Sequence, residues 1–140
     1  MIRNKSERGQ SLVELAISIV VLMWLLAGAV EFGIAFFQYI QLRDAVQEGA
    51  LYGSLNPTDT AGIEARARGA STSPIDLADT SKVTITVTAS GLKCANGTDG
   101  VTVTASYNHI IFMPFARLFM SSPRPINASA TDTILNPGCP

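Results

Sequence analysis

From Leu15 to Val30 every residue is apolar, Gly or Ser, and Phe32 to Phe37 continues without a charge. A run this long reads as a helix rather than a buried strand. Leu12 to Phe37 covers about 26 residues, or ~39 Å as a helix, against a hydrocarbon core of ~30 Å. The segment is long enough to span a membrane with tilt. Arg3, Lys5 and Arg8 outnumber Glu7 upstream, which keeps that end in the cytoplasm and directs the rest outward.

Beyond the apolar run the pattern turns amphipathic without a proline. Phe36, Tyr39, Ile40, Val46 and Ala50 recur at helical spacing, while Arg43, Asp44, Gln47 and Glu48 mark a wetter face. One helix is therefore expected from about Ser11 to Tyr52, ~63 Å long. Gly49 and Gly53, four apart, would let a neighbour pack closely, or Gly53 would simply end the helix before Asn56-Pro57. Two acids interrupt the apolar stretch. Glu31 is expected near the outer boundary, solvated there. Glu14 sits at the entrance, where an acidic side chain needs a partner or a task.

The distal half reads differently. Thr58 or Asp59 is placed to cap a short helix reaching Ala70, with Ala61, Ile63, Ala65 and Ala67 on it. Ser71–Ser81 reads as a loop. In Lys82–Ser90, Val83, Ile85, Val87 and Ala89 alternate with Thr84, Thr86 and Thr88; in the next run Val101, Val103, Ala105 and Tyr107 alternate with Thr102, Thr104 and Ser106. Period-two runs joined by the 91–100 turn region predict an antiparallel hairpin. Its apolar face lies on the helix and its threonine face is solvated or meets another subunit. Ile126, Ala128, Ala130 and Ile134 suggest a third strand. The apolar Ile110–Phe115, followed by Leu118-Phe119-Met120, is expected to form a short helix from Pro114. It would cover the core or the membrane surface, and the core is the favoured reading.

Together these elements predict an α+β chain. Residues 1–9 form a basic leader, 10–53 a membrane and assembly helix, and 54–140 a small extracytoplasmic head with an antiparallel sheet of about three strands. Removing the apolar stretch leaves a head of roughly 90 residues, enough for a modest core. Cys94 and Cys139 both lie in the head. Outside the cytoplasm they read as a disulfide closing a loop of about 45 residues, worth roughly 4 kcal/mol in the chain-entropy view. The alternative is two free buried thiols. A formal charge of -1 and scattered basic residues give no reason to expect a nucleic-acid partner.

The junction at the leader carries more. Gly9 precedes Gln10-Ser11-Leu12-Val13-Glu14, and the apolar run follows. This arrangement resembles the signal read by prepilin peptidases. The resemblance implies a cut after Gly9, with Gln10 the new N-terminus and Glu14 its fifth residue. A neighbour's Gln10 amine could then neutralise Glu14 in an apolar filament core, where an unpaired carboxylate is costly. The cut would remove a net +2 and leave the mature chain near -3. Two competing readings are an uncleaved anchor and an ordinary secretory signal. For the latter, Ala27-Gly28-Ala29 fits the small-residue cleavage rule, but the apolar sequence runs on through Phe37.

Arg8-Gly9-Gln10-Ser11-Leu12-Val13-Glu14-Leu15-Ala16, Val30-Glu31-Phe32-Gly33, Tyr39, Leu42 and Ala45–Gly53 together resemble the TadE-like family, minor pilins or pseudopilins of the Tad (tight adherence) type IV pilus machinery. The resemblance is dense over residues 8–53. Val46 stands where the family usually has a second alanine, and Gln47 where it has a basic residue. The resemblance implies a type IV pilin-like fold and a pilus-assembly subunit on a bacterial inner membrane, later at the cell surface. It implies partnership with a prepilin peptidase, sister pilins, an assembly platform and membrane lipid. Phe32, Gly33, Tyr39, Gly49, Tyr52 and Gly53 are the helix positions expected to pack.

Enzymatic chemistry has no constellation to rest on. Gly-x-Ser-x-Gly, a phosphate loop and a dinucleotide fingerprint are absent. His109 is the only histidine and reads as a strand-end residue; no Cys-x-x-Cys accompanies it. Asp76, Asp79 and Asp99 fall in loops and make a poor case for calcium. Asn96-Gly97-Thr98 and Asn127-Ala128-Ser129 match the glycosylation sequon by pattern alone. No cofactor, metal or catalytic residue is expected. The alternatives to a minor pilin are a membrane-displayed adhesion module outside any filament, and a major filament subunit; the size of the head argues against the latter.

Overall fold

A computed structural model describes residues 6–90, 100–113, 116 and 121–135, with side chains at 6–8 and 90 left aside. Helix α1 (Ser6–Leu55) is one unbroken element of 50 residues, ~75 Å long at 1.5 Å per residue. It starts five residues before the expected Ser11 and ends two beyond Gly53. Gly53 does not terminate it, because its backbone is held in place by the head that packs there.

The head folds against the upper half of α1. Helix α2 (Thr60–Gly69) begins at Asp59, whose carboxylate accepts the Gly62 N–H at 2.9 Å, one of the two N-caps expected from sequence. Strands β1 (Val83–Ser90), β2 (Gly100–His109) and β3 (Arg124–Thr133) form an antiparallel meander in the order β1-β2-β3. The register joins Val87 to Val103 and Val103 to Ala130, so apolar residues align across all three strands. Val83, Ile85, Val101, Val103, Ala105 and Ala128 are buried against Leu42, Ala45, Val46 and Ala50 of α1 and Ile63 and Ala67 of α2. The opposite face carries the threonines, and Thr102 and Thr104 reach Thr131 and Ser129 at 2.8 and 3.2 Å.

The Ser71–Ser81 loop is less polar in function than in composition. Ile75 and Leu77 enter the core at 2% and 0% exposure. Buried Gln41 holds the loop to α1: its amide donates to Ser71 Oγ and the Ile75 carbonyl and accepts the Ile75 N–H at 3.0 Å. The segment 110–113 also departs from expectation. Ile111 is buried, but Ile110 and Phe112 are 52% and 68% exposed, so core coverage describes only every second residue. The helix expected from Pro114 lies outside the described residues except at Ala116, as do Cys94 and Cys139.

Candidate functional site

Two regions of α1 carry polar groups inside an apolar context. The first is its base. Gly9, Gln10 and Glu14 are exposed on a regular helix, and the Gly9–Gln10 bond lies within its first turns. Ser18 Oγ donates to the Glu14 carbonyl at 2.8 Å, which leaves the Glu14 carboxylate to other partners; it forms no ion pair among the described residues. Above it, the apolar side chains from Leu12 to Leu26 stand 50–67% exposed where they are large. This length of helix is apolar enough to cross a membrane and makes no core with its own head.

The second region was not visible as a site in the sequence. Glu31 is not merely solvated at a boundary. His109, at the end of β2 and only 4% exposed, places Nε2 2.9 Å from Glu31 Oε1 and Nδ1 2.7 Å from Gln38 Oε1. The Phe112 N–H also donates to the Glu31 carboxylate, at 3.2 and 3.3 Å. An amide oxygen only accepts, so in this arrangement Nδ1 carries hydrogen. Each ring nitrogen thus has its own partner on α1. The strand-end reading of His109 was right in position and missed its role: the ring bolts the lower corner of the sheet to α1. The only signal in the sequence was an acid in an apolar run together with a lone histidine.

The expected packing residues divide into two groups. Gly49 and Gly53 do allow close approach, but the approaching surface is the chain's own head. A methyl at Gly53 would stand 2.7 Å from Val101 Cγ1 and 3.0 Å from Ile63 Cδ1; one at Gly49 would stand 3.1 Å from Ala67 Cβ. Tyr52 is half-buried, and its hydroxyl donates to the Asp59 carboxylate at 3.1 Å. That bond raises the tyrosine pKa, because phenolate beside a carboxylate is disfavoured. Phe32, Gly33 and Tyr39 instead lie on an open side of α1. Phe32 stacks on Phe36 with ring centroids 6.0 Å apart.

Asp76 and Asp79 serve turns. Asp76 accepts the Ala78 N–H. Asp79 pairs with Lys82 at 2.8 Å and accepts from Ser81. The Lys82 and Ser81 bonds hold the Asp79 carboxyl down at about 2. No group of three metal-ligating side chains occurs among the described residues.

Residues 9–51 match the family model of TadE-like proteins. The match covers the base of α1, its apolar stretch and the part that carries Glu31, Gln38 and Gly49. No curated protein and no solved structure matches the chain.

Proposed function

We propose that this protein is a minor pilin or pseudopilin of a Tad-type pilus, a non-catalytic subunit that enters an assembly through α1. The observation that carries the reading is the division of α1: its upper half is gripped by the head, and its lower half is a bare apolar rod that begins at Gly9 and Glu14. Such a rod suits lipid before assembly and other helices after it. Prepilin peptidase cuts after Gly9, on the cytoplasmic side. The Gln10 amine of one subunit then pairs with Glu14 of the next, which removes the cost of an unpaired carboxylate among apolar helices. The other partners are sister pilins and the inner-membrane assembly platform, and the assembled subunit supports surface adhesion.

N-terminal sequencing of the protein from cells tests the first step. A mature start at Gln10 supports it, whereas Met1 or Val30 contradicts it. Glu14→Ala is expected to impair processing or assembly, and normal incorporation of that variant would deny Glu14 its role. A displayed adhesion module outside a filament would instead keep the leader and act through its isolated head.

The disulfide belongs with this proposal. Ser90 pairs with Gly100, Gly100 pairs with Thr133, and the Leu135 N–H donates to the Ser54 carbonyl at 2.8 Å. The described residues flanking both cysteine segments thus leave one end of the sheet, the end remote from Glu31. Cys94 and Cys139 are each four positions beyond the last described residue on their side.

A further inference from the structure

We infer that the first residues of the β2–β3 connection, Ile110 to Met113, sit in the outer leaflet of the bilayer while α1 is membrane-inserted, so that the head grips lipid as well as its own helix. The inference rests on the membrane-spanning reading of α1 and adds a second contact to it.

Strand β2 runs down α1 toward the apolar end. Val101 is level with Gly53, Val103 with Gly49, and His109 with Gln38 and Glu31. The chain then continues downward. Phe112 is bonded to Glu31, and Met113 Cε stands 3.8 Å from where a methyl on Gly28 would be. With Glu14 at the inner edge of a ~30 Å hydrocarbon core, the outer edge falls about 20 residues on, near Ile34. Phe112 is then roughly 5 Å inside it and Met113 roughly 9 Å inside, the depth typical of interfacial apolar segments. Tilt moves the boundary up α1 and these residues deeper.

The chemistry of the segment fits that depth. Irregular backbone at membrane depth needs its polar groups satisfied by protein. Here the Phe112 N–H is taken by Glu31, the Ile111 N–H by Ser122 Oγ, and both ring nitrogens of His109 by Gln38 and Glu31. The polar atoms turn inward while Ile110 and Phe112 stand exposed, and Met113 lies beside Gly28 in the apolar run of α1. That is the reverse of what a water-facing loop requires. Arg124 lies opposite His109 in the register and is exposed; a cation at that level meets lipid phosphates. Continuity with the membrane-facing side of α1 selects lipid as the occupant over a second protein.

The test uses full-length protein reconstituted in phosphatidylcholine–phosphatidylglycerol vesicles. Phe112→Trp is combined with Trp24→Phe to leave one indole, and its fluorescence is compared in plain lipid, in lipid brominated near the headgroup end of the acyl chains, which reaches position 112, and in lipid brominated near their methyl end, which reaches Trp24. The native Trp24 protein reports on insertion, and Thr88→Trp with Trp24→Phe reports on the far face of the head. The expected result is strong loss of fluorescence for Phe112→Trp, loss for Trp24, and none for Thr88→Trp. Loss for Trp24 with none for Phe112→Trp overturns the inference and leaves the anchor standing. An indole at position 112 that lipid does not quench, but that becomes shielded from aqueous acrylamide as protein density rises, also overturns it and assigns the face to a second copy of the chain. No loss at either position refutes the membrane reading beneath it. Ile110→Trp, on the same exposed edge, repeats the measurement should Phe112→Trp fold poorly.

Discussion

Replacing His109 with Ala removes a ring that bonds two residues on α1, 71 and 78 positions away in sequence. Gln38, 7% exposed, keeps its amide oxygen but has no donor for it, a desolvation cost of about 1–3 kcal/mol. Glu31 retains the Phe112 N–H, so its own loss is smaller, about 1 kcal/mol. The space left by the imidazole adds about another 1 kcal/mol in contacts. The total of roughly 3–5 kcal/mol is a large share of the ~5–12 kcal/mol expected of a head this size plus its share of α1. Urea unfolding of the full chain in detergent micelles, followed by near-ultraviolet circular dichroism of the tyrosines, reads the change. With a slope of about 1–3 kcal/mol per molar urea, the midpoint should fall by about 1 M or more. Glu31→Gln preserves an acceptor and should cost less than half as much. A cycle with Glu31→Ala should show coupling above about 1 kcal/mol. A His109→Ala loss below about 0.5 kcal/mol, or strict additivity in the cycle, would refute the bolt.

Other variants probe other contacts. Gly53→Ala gains helix propensity of about 1 kcal/mol but forces a methyl onto Val101 and Ile63, an overpacking cost of about 1–3 kcal/mol, so net destabilisation is expected in the same urea assay. Gly33→Ala, with nothing within 4 Å of the added methyl, should show no such loss. Asp79 has its carboxyl lowered in the folded head, to about 2. Its contribution is therefore present above the unfolded value near ~3.9 and is lost as pH falls through about 2. Carbon-13 titration of the carboxyl in the wild type should find that low midpoint, and Lys82→Ala should raise it. Cys94→Ser should lower the urea midpoint of oxidised protein and leave that of reduced protein unchanged, with Cys139→Ser doing the same.

Much of this architecture is written in local periodicity. The threonine alternation placed β1 and β2 to within a residue or two, because a two-residue period with one buried face admits no other register. Asp59 followed by an alanine-rich run marked the start of α2. What escaped is what depends on distance in the chain. Glu31 and His109 are each ambiguous alone: an acid near a membrane boundary can be solvated, and a histidine at a strand end can be incidental. Only the descent of β2 along α1 brings them together. Gly49 and Gly53 marked a place for close approach, and spacing alone cannot say that the surface filling it belongs to the same molecule. Nothing in the spacing singles out Gln41, which anchors the segment that composition marked only as a loop.

The bare lower half of α1 has an energetic consequence for any route out of the bilayer. From Leu12 to Leu26 it presents large apolar side chains, each half to two-thirds exposed. Moving such a surface from hydrocarbon into water would cost on the order of tens of kcal/mol, at about 25 cal/mol per Å². Thermal motion cannot supply that, and the head cannot fold down over a rod that lies below its own grip. In the proposed assembly, extraction and docking would therefore be one continuous exchange, in which each turn of helix leaving lipid is covered at once by a neighbouring helix. A machine handling such a subunit would act less by pulling than by keeping the rod from ever becoming wet.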